Sequence, residues 1–456
     1  MENETETAPR LSAGYAEAVV TPPMGMRLVG GYAKKYARGI TSDVHIRCAA
    51  FQCGEKKAVF FSCECIGMKV NAYEILRDRI AERCQMDPAG VYITCSHVHT
   101  SFRIVGPDAE AELYQIHMRR LYQQFCDTAQ FAFEDLKPAR LYTARGEVKD
   151  ISFLRRYRMK DGTVKTNPSI GSDEIEAFEG KADDSLLLLR VKREEGNEIL
   201  LVNFGTHADV IGGDLVSSDF PGYLVHDLKN ALDGKAEVLF LNGCEGDSNH
   251  INAFLPKGTP RKGHPIAQRM ARKITAEVLR LYDDVKEISS DEIDSEKVNV
   301  KIGKNDYDPA DVPIAEKIRA IYHEKGNKAP ELKEFKLSLP GALRILENLK
   351  RPEFFDIELH FIRIGEAAFV GFPGEPFQEL GLKIKEKSPY PVTVLTACTN
   401  GGQGYFPTEE AFEGGGYESS VSPFAKNCGP LLVEGALQGL ERLKERETKG
   451  ETNGNN

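Results

Sequence analysis

The stretch Val91-Tyr92-Ile93-Thr94-Cys95-Ser96-His97-Val98-His99-Thr100-Ser101 opens as an apolar, β-branched and aromatic run and closes in a polar cluster. That composition reads as a buried strand delivering two histidines at its carboxyl end. Just upstream lie another apolar run, 58–63, and a segment of helical period, 71–84. Strand, helix, strand in that order points to helices packed on a sheet.

The same alternation continues along the chain. Short runs rich in branched and aromatic residues recur at 48–52, 185–191, 199–204, 237–241, 360–364, 368–372 and 392–398, with helix-period segments at 110–136, 219–232, 265–284, 376–387 and 423–445. The expected fold class is α/β, a mixed sheet core with flanking helices. After the alternating Lys297-Val298-Asn299-Val300-Lys301-Ile302, which suits one further strand, residues 304–352 read as an α-rich insertion with helices at 314–325 and 343–350. No internal repeat or low-complexity linker divides the chain. One unit over 10–446 is expected, with disordered polar tails at 1–9 and 447–456.

Composition narrows the function classes. With 456 residues, 41% hydrophobic and 28% charged, the chain is globular and can bury a large core. A net charge of −10 without a basic run argues against a nucleic-acid partner. The start, Met1-Glu2-Asn3-Glu4-Thr5-Glu6-Thr7, has neither the basic nor the apolar part of a secretory signal. No apolar segment approaches the roughly 20 residues of a membrane span. A cytoplasmic protein without stable membrane insertion is the expectation. The ten cysteines are scattered, several inside strand-like runs, and read as reduced core thiols. The close pair in Cys63-Glu64-Cys65 has the wrong spacing for a zinc knuckle or a redox motif.

Five strand-like runs end in polar or glycine-rich clusters. In the first, His97 and His99 share a face if the backbone is extended, which suits one metal ligand with a close neighbour. The second, Asn203-Phe204-Gly205-Thr206-His207, delivers another histidine, compatible with a ligand or with a core imidazole bonded to backbone. The third is Asn242-Gly243-Cys244-Glu245-Gly246-Asp247-Ser248-Asn249-His250, small and polar enough for close backbone approach to a ligand. In the fourth, Pro373-Gly374-Glu375-Pro376, the carboxylate suits either a helix start or a metal. The fifth is the long glycine-rich loop 399–418 with Tyr405 and Tyr417. Loops beyond strand carboxyl ends form the usual ligand crevice of an α/β sheet. Two histidines, a glutamate and hydroxyl groups meeting there form a nitrogen and oxygen donor set suited to zinc.

These motifs resemble those of the neutral, non-lysosomal ceramidases. Ser96-His97-Val98-His99-Thr100-Ser101 is similar to their THTHS segment, and Asn203-Phe204-Gly205-Thr206-His207 to FAxH. Leu215-Val216-Ser217-Ser218-Asp219-Phe220-Pro221-Gly222-Tyr223 resembles LVSxDxxGYA, Pro373-Gly374-Glu375 resembles PGE, and the segment Tyr405–Glu410 resembles YxTxEE. The order is the same and the likeness runs from about Ser12 to about Leu443. The resemblance implies a ceramidase-like catalytic domain with Zn2+ held by His97, His207, Glu375 and Tyr405. It implies His99 beside the metal, Tyr417 as a substrate-polarising hydroxyl and Arg155, or its neighbour Arg156, near the reacting carbonyl. The family's GDxSPN appears as Gly246-Asp247-Ser248-Asn249-His250, with the serine one place early and no proline. Ser248 is therefore a catalytic candidate with an altered setting, and Asp247, Asn249 and Arg156 are candidates for substrate binding. The chain also lacks the family's secretion signal and C-terminal immunoglobulin-like domain, so membrane ceramide is not the expected substrate.

The resulting expectation is a metal-dependent hydrolase of a small-molecule amide, using metal-activated water. Amide over ester rests on the resemblance. Two alternatives stay open: hydrolysis of a sugar-derived ester, lactone or glycosidic linkage, and non-catalytic metal or ligand binding. Oligomeric state is not read from the sequence.

Overall fold

A computed structural model describes residues 10–107 and 111–454. The larger sheet comprises β1 (Ser12–Val19), β2 (His45–Cys53), β3 (Lys56–Cys63), β4 (Val91–Cys95), β5 (Lys137–Glu147), β6 (Ser185–Arg193), β7 (Glu198–Phe204), β8 (Ala236–Asn242) and β9 (Lys286–Ile288). Its order is β8-β7-β6-β5-β1-β2-β3-β4, with β9 added on β5. A second sheet runs β10 (Ile293–Gly303), β11 (Phe354–Ile364), β12 (Ala367–Gly371) and β13 (Val392–Thr396). The main helices are α1 (Val70–Cys84), α2 (Glu112–Glu134), α3 (Asp219–Ala231), α4 (His264–Tyr282), α5 (Val312–Lys325), α6 (Leu339–Asn348) and α7 (Gln378–Lys387). Two short helices, α8 (Glu409–Gly414) and α9 (Tyr417–Val421), precede α10 (Cys428–Gly454).

Alternation along the strands explains the layering. In β3, Val59, Phe61 and Cys63 face a core built with α1 and α2, whereas Ala58 and Phe60 face the second sheet. Phe60 stacks against Phe369 of β12 with ring centroids 4.5 Å apart, so the two sheets pack face to face. α3 and α4 cover the far half of the first sheet, and α7 and α10 cover the outer face of the second. Burial on both faces is why these strands read as continuous apolar runs. Full burial of a ring such as Phe60 stabilises the fold by roughly 1.5–3 kcal/mol.

Three parallel pairs position the functional loops: β3 with β4, β7 with β8, and β12 with β13. A parallel pair requires a crossover, and α1, α3 and α7 supply the three. The expected mixed α/β architecture is thus observed, with the α-rich segment inserted between β10 and β11, which pair antiparallel from Ile293 to Gly303. Its α5 and α6 share a small core through Ala315, Ile318, Ala342 and Ile345.

Several boundaries differ from the sequence reading. β1 and β5 were not expected, because their alternation of small, polar and charged residues lacks an apolar run. The helix expected from 376 starts at Gln378, since Glu375 and Pro376 instead pair with Tyr405 and Phe406. The tail expected from 447 is helical to Gly454, as α10 continues. Residues 1–9 and 455–456 lie outside the described residues. All ten cysteines are free and buried. No helix among the described residues is long and apolar enough to cross a membrane.

One buried histidine lies away from the site and makes a clean pH prediction. His360 contacts the Ala89 carbonyl oxygen through Nε2 at 2.7 Å and Asn400 through Nδ1 at 2.6 Å. Burial pushes its pKa down to about 3. Its folded form stays neutral while the unfolded form takes a proton below about pH 6.5, so this group lowers stability as pH falls through that window. Urea unfolding should show the His360→Gln variant losing about 2 kcal/mol less than wild type between pH 7 and pH 5. Equal losses would reject this.

Candidate metal centre and active site

Strand ends stitched together by backbone hydrogen bonds build the site. Ala397 N–H donates to the Asn242 carbonyl at 3.0 Å and Asn400 N–H to that of Ile93 at 2.8 Å. Asn242 Nδ2 donates to the Ser96 carbonyl at 3.3 Å. The ends of β13, β8 and β4 therefore meet, bringing His97 after β4, His207 after β7 and Glu375 after β12 into one nest. A short parallel ladder aligns Glu375 with Tyr405. Gly246 permits this closure, since a Cβ there would lie 2.4 Å from the Glu375 carbonyl oxygen.

The His-x-His geometry departs from the extended expectation. β4 ends at Cys95, and His97 has a left-handed φ of 63°. The chain turns at this residue, and the two rings meet edge to face with centroids 4.8 Å apart. Each histidine of the nest is anchored through Nδ1 to a backbone carbonyl: His97 to Ile66 at 2.7 Å, His99 to Gly30 at 2.7 Å and His207 to Glu245 at 2.8 Å. A carbonyl only accepts, so each Nδ1 carries a proton and Nε2 is the nitrogen left to face the nest, with a lone pair wherever the ring is neutral. Gly30 allows the close approach: its φ is 136°, and a Cβ would lie 2.8 Å from His99 Nδ1.

Those lone pairs point at a carboxylate. His97 Nε2 and His207 Nε2 lie 3.4 and 3.2 Å from the same Glu375 Oε2, which makes no hydrogen bond of its own among the described residues. Nitrogen donor atoms of His97, His99 and His207 all lie within 4.8 Å of one another. Three acceptors in contact repel unless a cation sits between them, and histidine with its other nitrogen held by backbone is the usual metal-ligand arrangement. The donor set fits a metal ion. Burial pushes His97 down to about 4 against the pull of Glu375, and His99 down to about 3 with His97 adding to the effect. Burial alone would raise Glu375, but His97 and His207, wherever either ring carries a second proton, and Arg155 hold it below the usual carboxylate range. Imidazoles neutral and carboxylate ionised is the protonation state a metal requires.

Arg155 closes one side. Its Nη1 lies 3.2 Å from His207 Nε2, its Nη2 donates to the Gly246 carbonyl at 2.6 Å, and its guanidinium sits 5.3 Å from the centre of the Tyr405 ring. Arg155 Nε is 2.7 Å from Glu418 Oε1, a charge contact off the hydrogen-bond direction. Arg156 is not brought to the nest. Fully buried, it pairs with Glu179 and Glu418 and donates to the carbonyls of Ala411 and Gly415. Tyr417 stands with its ring 5.9 Å from that of Tyr405, and its hydroxyl is 3.4 Å from that of Tyr32. The Tyr32 carbonyl accepts from Tyr322 Oη of α5 at 2.8 Å, tying the insertion to the site.

The altered serine segment is part of the wall. Ser248 is fully buried, and its hydroxyl has no partner among the described residues. Asp247 accepts from Gln378 N–H at 2.8 Å through Oδ1, and burial raises its pKa to about 7. Asn249 Nδ2 donates to Asn167 Oδ1 at 3.1 Å while its own Oδ1 accepts from Ile251 N–H. Both side chains fasten loops rather than face the metal nest. Nothing in the sequence singles out Cys398 or Tyr32, and Glu418 is marked only as the glutamate that follows Tyr417. Cys398 Sγ lies 3.3 Å from His97 Nδ1 and 3.7 Å from Glu245 Oε1, placing a buried thiol and carboxyl behind the nest. His97, Glu245 and Cys398 form a second cluster with donor atoms within 4.8 Å of one another. The glutamate of Cys244-Glu245-Gly246 was the only available signal.

Solved structures share this arrangement of strands. The chain matches a neutral ceramidase from Pseudomonas aeruginosa with a TM-score of 0.70 at 14% identity, over 96% of this chain and 75% of that one. The fold is that of the neutral ceramidases. A second ceramidase structure, described as complexed with C2, matches with a TM-score of 0.71 at 14% identity, over 96% of this chain and 76% of its own. No family model matches the chain, and no curated protein matches it in sequence.

Proposed function

We propose that the protein is a zinc-dependent hydrolase of an amide (N-acyl) bond in a small molecule. The observation that carries this is the convergence of His97 Nε2 and His207 Nε2 on one oxygen of Glu375. The likeness in fold to ceramidases, enzymes of amide substrates, supports amide as the bond. His97, His207, Glu375 and Tyr405 would hold the zinc. Bound there, zinc supplies acidification of water and polarisation of the acyl carbonyl.

The chain's own residues do the rest. His99 Nε2, neutral and without a hydrogen-bond partner among the described residues, accepts the proton of the attacking water and returns it to the leaving nitrogen. Arg155 and the Tyr417 hydroxyl donate hydrogen bonds to the oxygen that gains charge, where the dry surroundings strengthen each contact. Glu418 holds Arg155 in that position.

The deciding test measures metal content by mass spectrometry and hydrolysis of a panel of N-acyl amines, activated esters and ceramide. Close to one zinc per chain and turnover of an N-acyl amine are expected, with a smaller polar amide preferred over long-chain ceramide because the serine segment is altered. Absence of transition metal, or turnover confined to glycosidic or lactone substrates, would overturn the reading. Tyr417→Phe and His99→Ala should retain zinc. For Tyr417→Phe, kcat and kcat/KM should fall together by on the order of 100-fold. Ser248→Ala should be milder. Wild-type rates in both Tyr417→Phe and His99→Ala would favour a non-catalytic binding protein.

A further inference from the structure

A cavity of about 850 Å³ is lined by Lys69, Asn71 and Ile75 at the start of α1, by Leu113 and Tyr114 at the start of α2, and by Arg103, whose short strand pairs with Gly67–Met68. Its wall is continuous with the metal site: Val29, which lines it, donates its N–H to the Ser101 carbonyl at 3.0 Å, and the next residue, Gly30, anchors His99. That volume is in the range of small-molecule sites.

The lining is chemically divided. Arg27, Lys69 and Arg103 contribute three cations, and among the described residues none forms an ion pair with a carboxylate. In a chain of net charge −10, three neighbouring cations without an acidic partner among the described residues stand out. Arg103 and Arg27 both lie close enough to act on the Tyr114 phenol, and Arg103 N–H donates to its oxygen at 3.5 Å. Opposite them, Ile75, Val105 and Leu113 present apolar surface. α1 begins beside Lys69 with no side-chain cap and no acidic residue in its first turn, so the helix itself does not neutralise its positive end.

We propose that this cavity binds an anionic amphiphile, a carboxylate or phosphate monoester on an apolar tail. The head lies among Arg27, Lys69 and Arg103, and the tail along Ile75, Val105 and Leu113. Guanidinium groups recognise either oxyanion through paired N–H donors, which a neutral alcohol of the same length cannot exploit. The site needs neither the metal nor hydrolysis, so it stands or falls separately from the enzymatic reading.

Isothermal titration of the full chain with octyl phosphate, octanoate and octanol, below their aggregation concentrations, tests this. Saturable binding of at least one anion is expected, about tenfold or more tighter than octanol. Whichever anion binds tighter names the headgroup. The Lys69→Gln, Arg103→Gln double variant should weaken anion binding by about tenfold or more while octanol changes little. Should that variant unfold, Arg27→Gln and Leu113→Asp, each checked for a wild-type melting temperature, serve in its place: the first weakens only the anions, the second all three ligands. Equal affinity for octanol and the anions, or unchanged affinity in folded charge variants, overturns the proposal. So does anion binding that chelation abolishes and the double variant retains, because that places the anion on the metal nest.

Discussion

Glu375→Ala protein is expected to retain less than about a tenth of the wild-type zinc and to lose about 1,000-fold or more in kcat/KM, about 4 kcal/mol of transition-state stabilisation. Glu375 is the one carboxylate on which both His97 and His207 converge, so its removal deletes charge and geometry together. The neighbouring Glu245 is a poor substitute: burial and the Glu375 charge push its pKa well up, and its carboxyl sits behind His97 beside Cys398. The melting temperature without added metal should change little, because the mutation also relieves the crowding of three acceptors. His97→Ala and His207→Ala should behave alike. Metal analysis after gel filtration, read beside circular dichroism, is the check. Full zinc occupancy in all three variants would sink the proposed ligand set.

Glu418→Ala should be the most destabilising single substitution near the site, by about 3–5 kcal/mol in urea unfolding, because it strands a buried charge cluster. Glu418 is fully buried and lies 2.7 Å from Arg155 and 3.1 Å from Arg156, while Thr166 Oγ1 donates to it at 2.8 Å. Arg156 keeps Glu179 and two carbonyls, whereas Arg155 loses its nearest carboxylate. Turnover should fall even where the variant folds, since Arg155 then has the Gly246 carbonyl as its one remaining firm anchor on the active-site side. Glu418→Gln separates the two effects by retaining shape while removing charge. A midpoint within about 0.5 kcal/mol of wild type for Glu418→Ala would show that water or rearrangement solvates the two arginines.

The sequence marked the strands that carry function because they are buried on both faces. Runs such as Val91–Cys95 and Val392–Thr396 cannot be amphipathic, and their glycine and polar endings announce the loops beyond them. Strands with mixed patterning, β1 and β5, stayed hidden because small and charged residues alternate there without a distinctive apolar period. The ligand candidates His97, His207, Glu375 and Tyr405 were legible as residues, by chemistry and by resemblance.

Donor chemistry and the strand ends that carry it are therefore written locally in the chain. Which donors meet, and what sits behind them, follows only from how distant segments pack. The different surroundings of two neighbours, Arg155 beside His207 and Arg156 between Glu179 and Glu418, depend on partners far apart in sequence. The left-handed turn at His97 and the placement of Glu245 and Cys398 behind it likewise arise from the junction of three separate βαβ units. Contacts across hundreds of residues leave no local pattern, because periodicity reports only what a residue's own element requires.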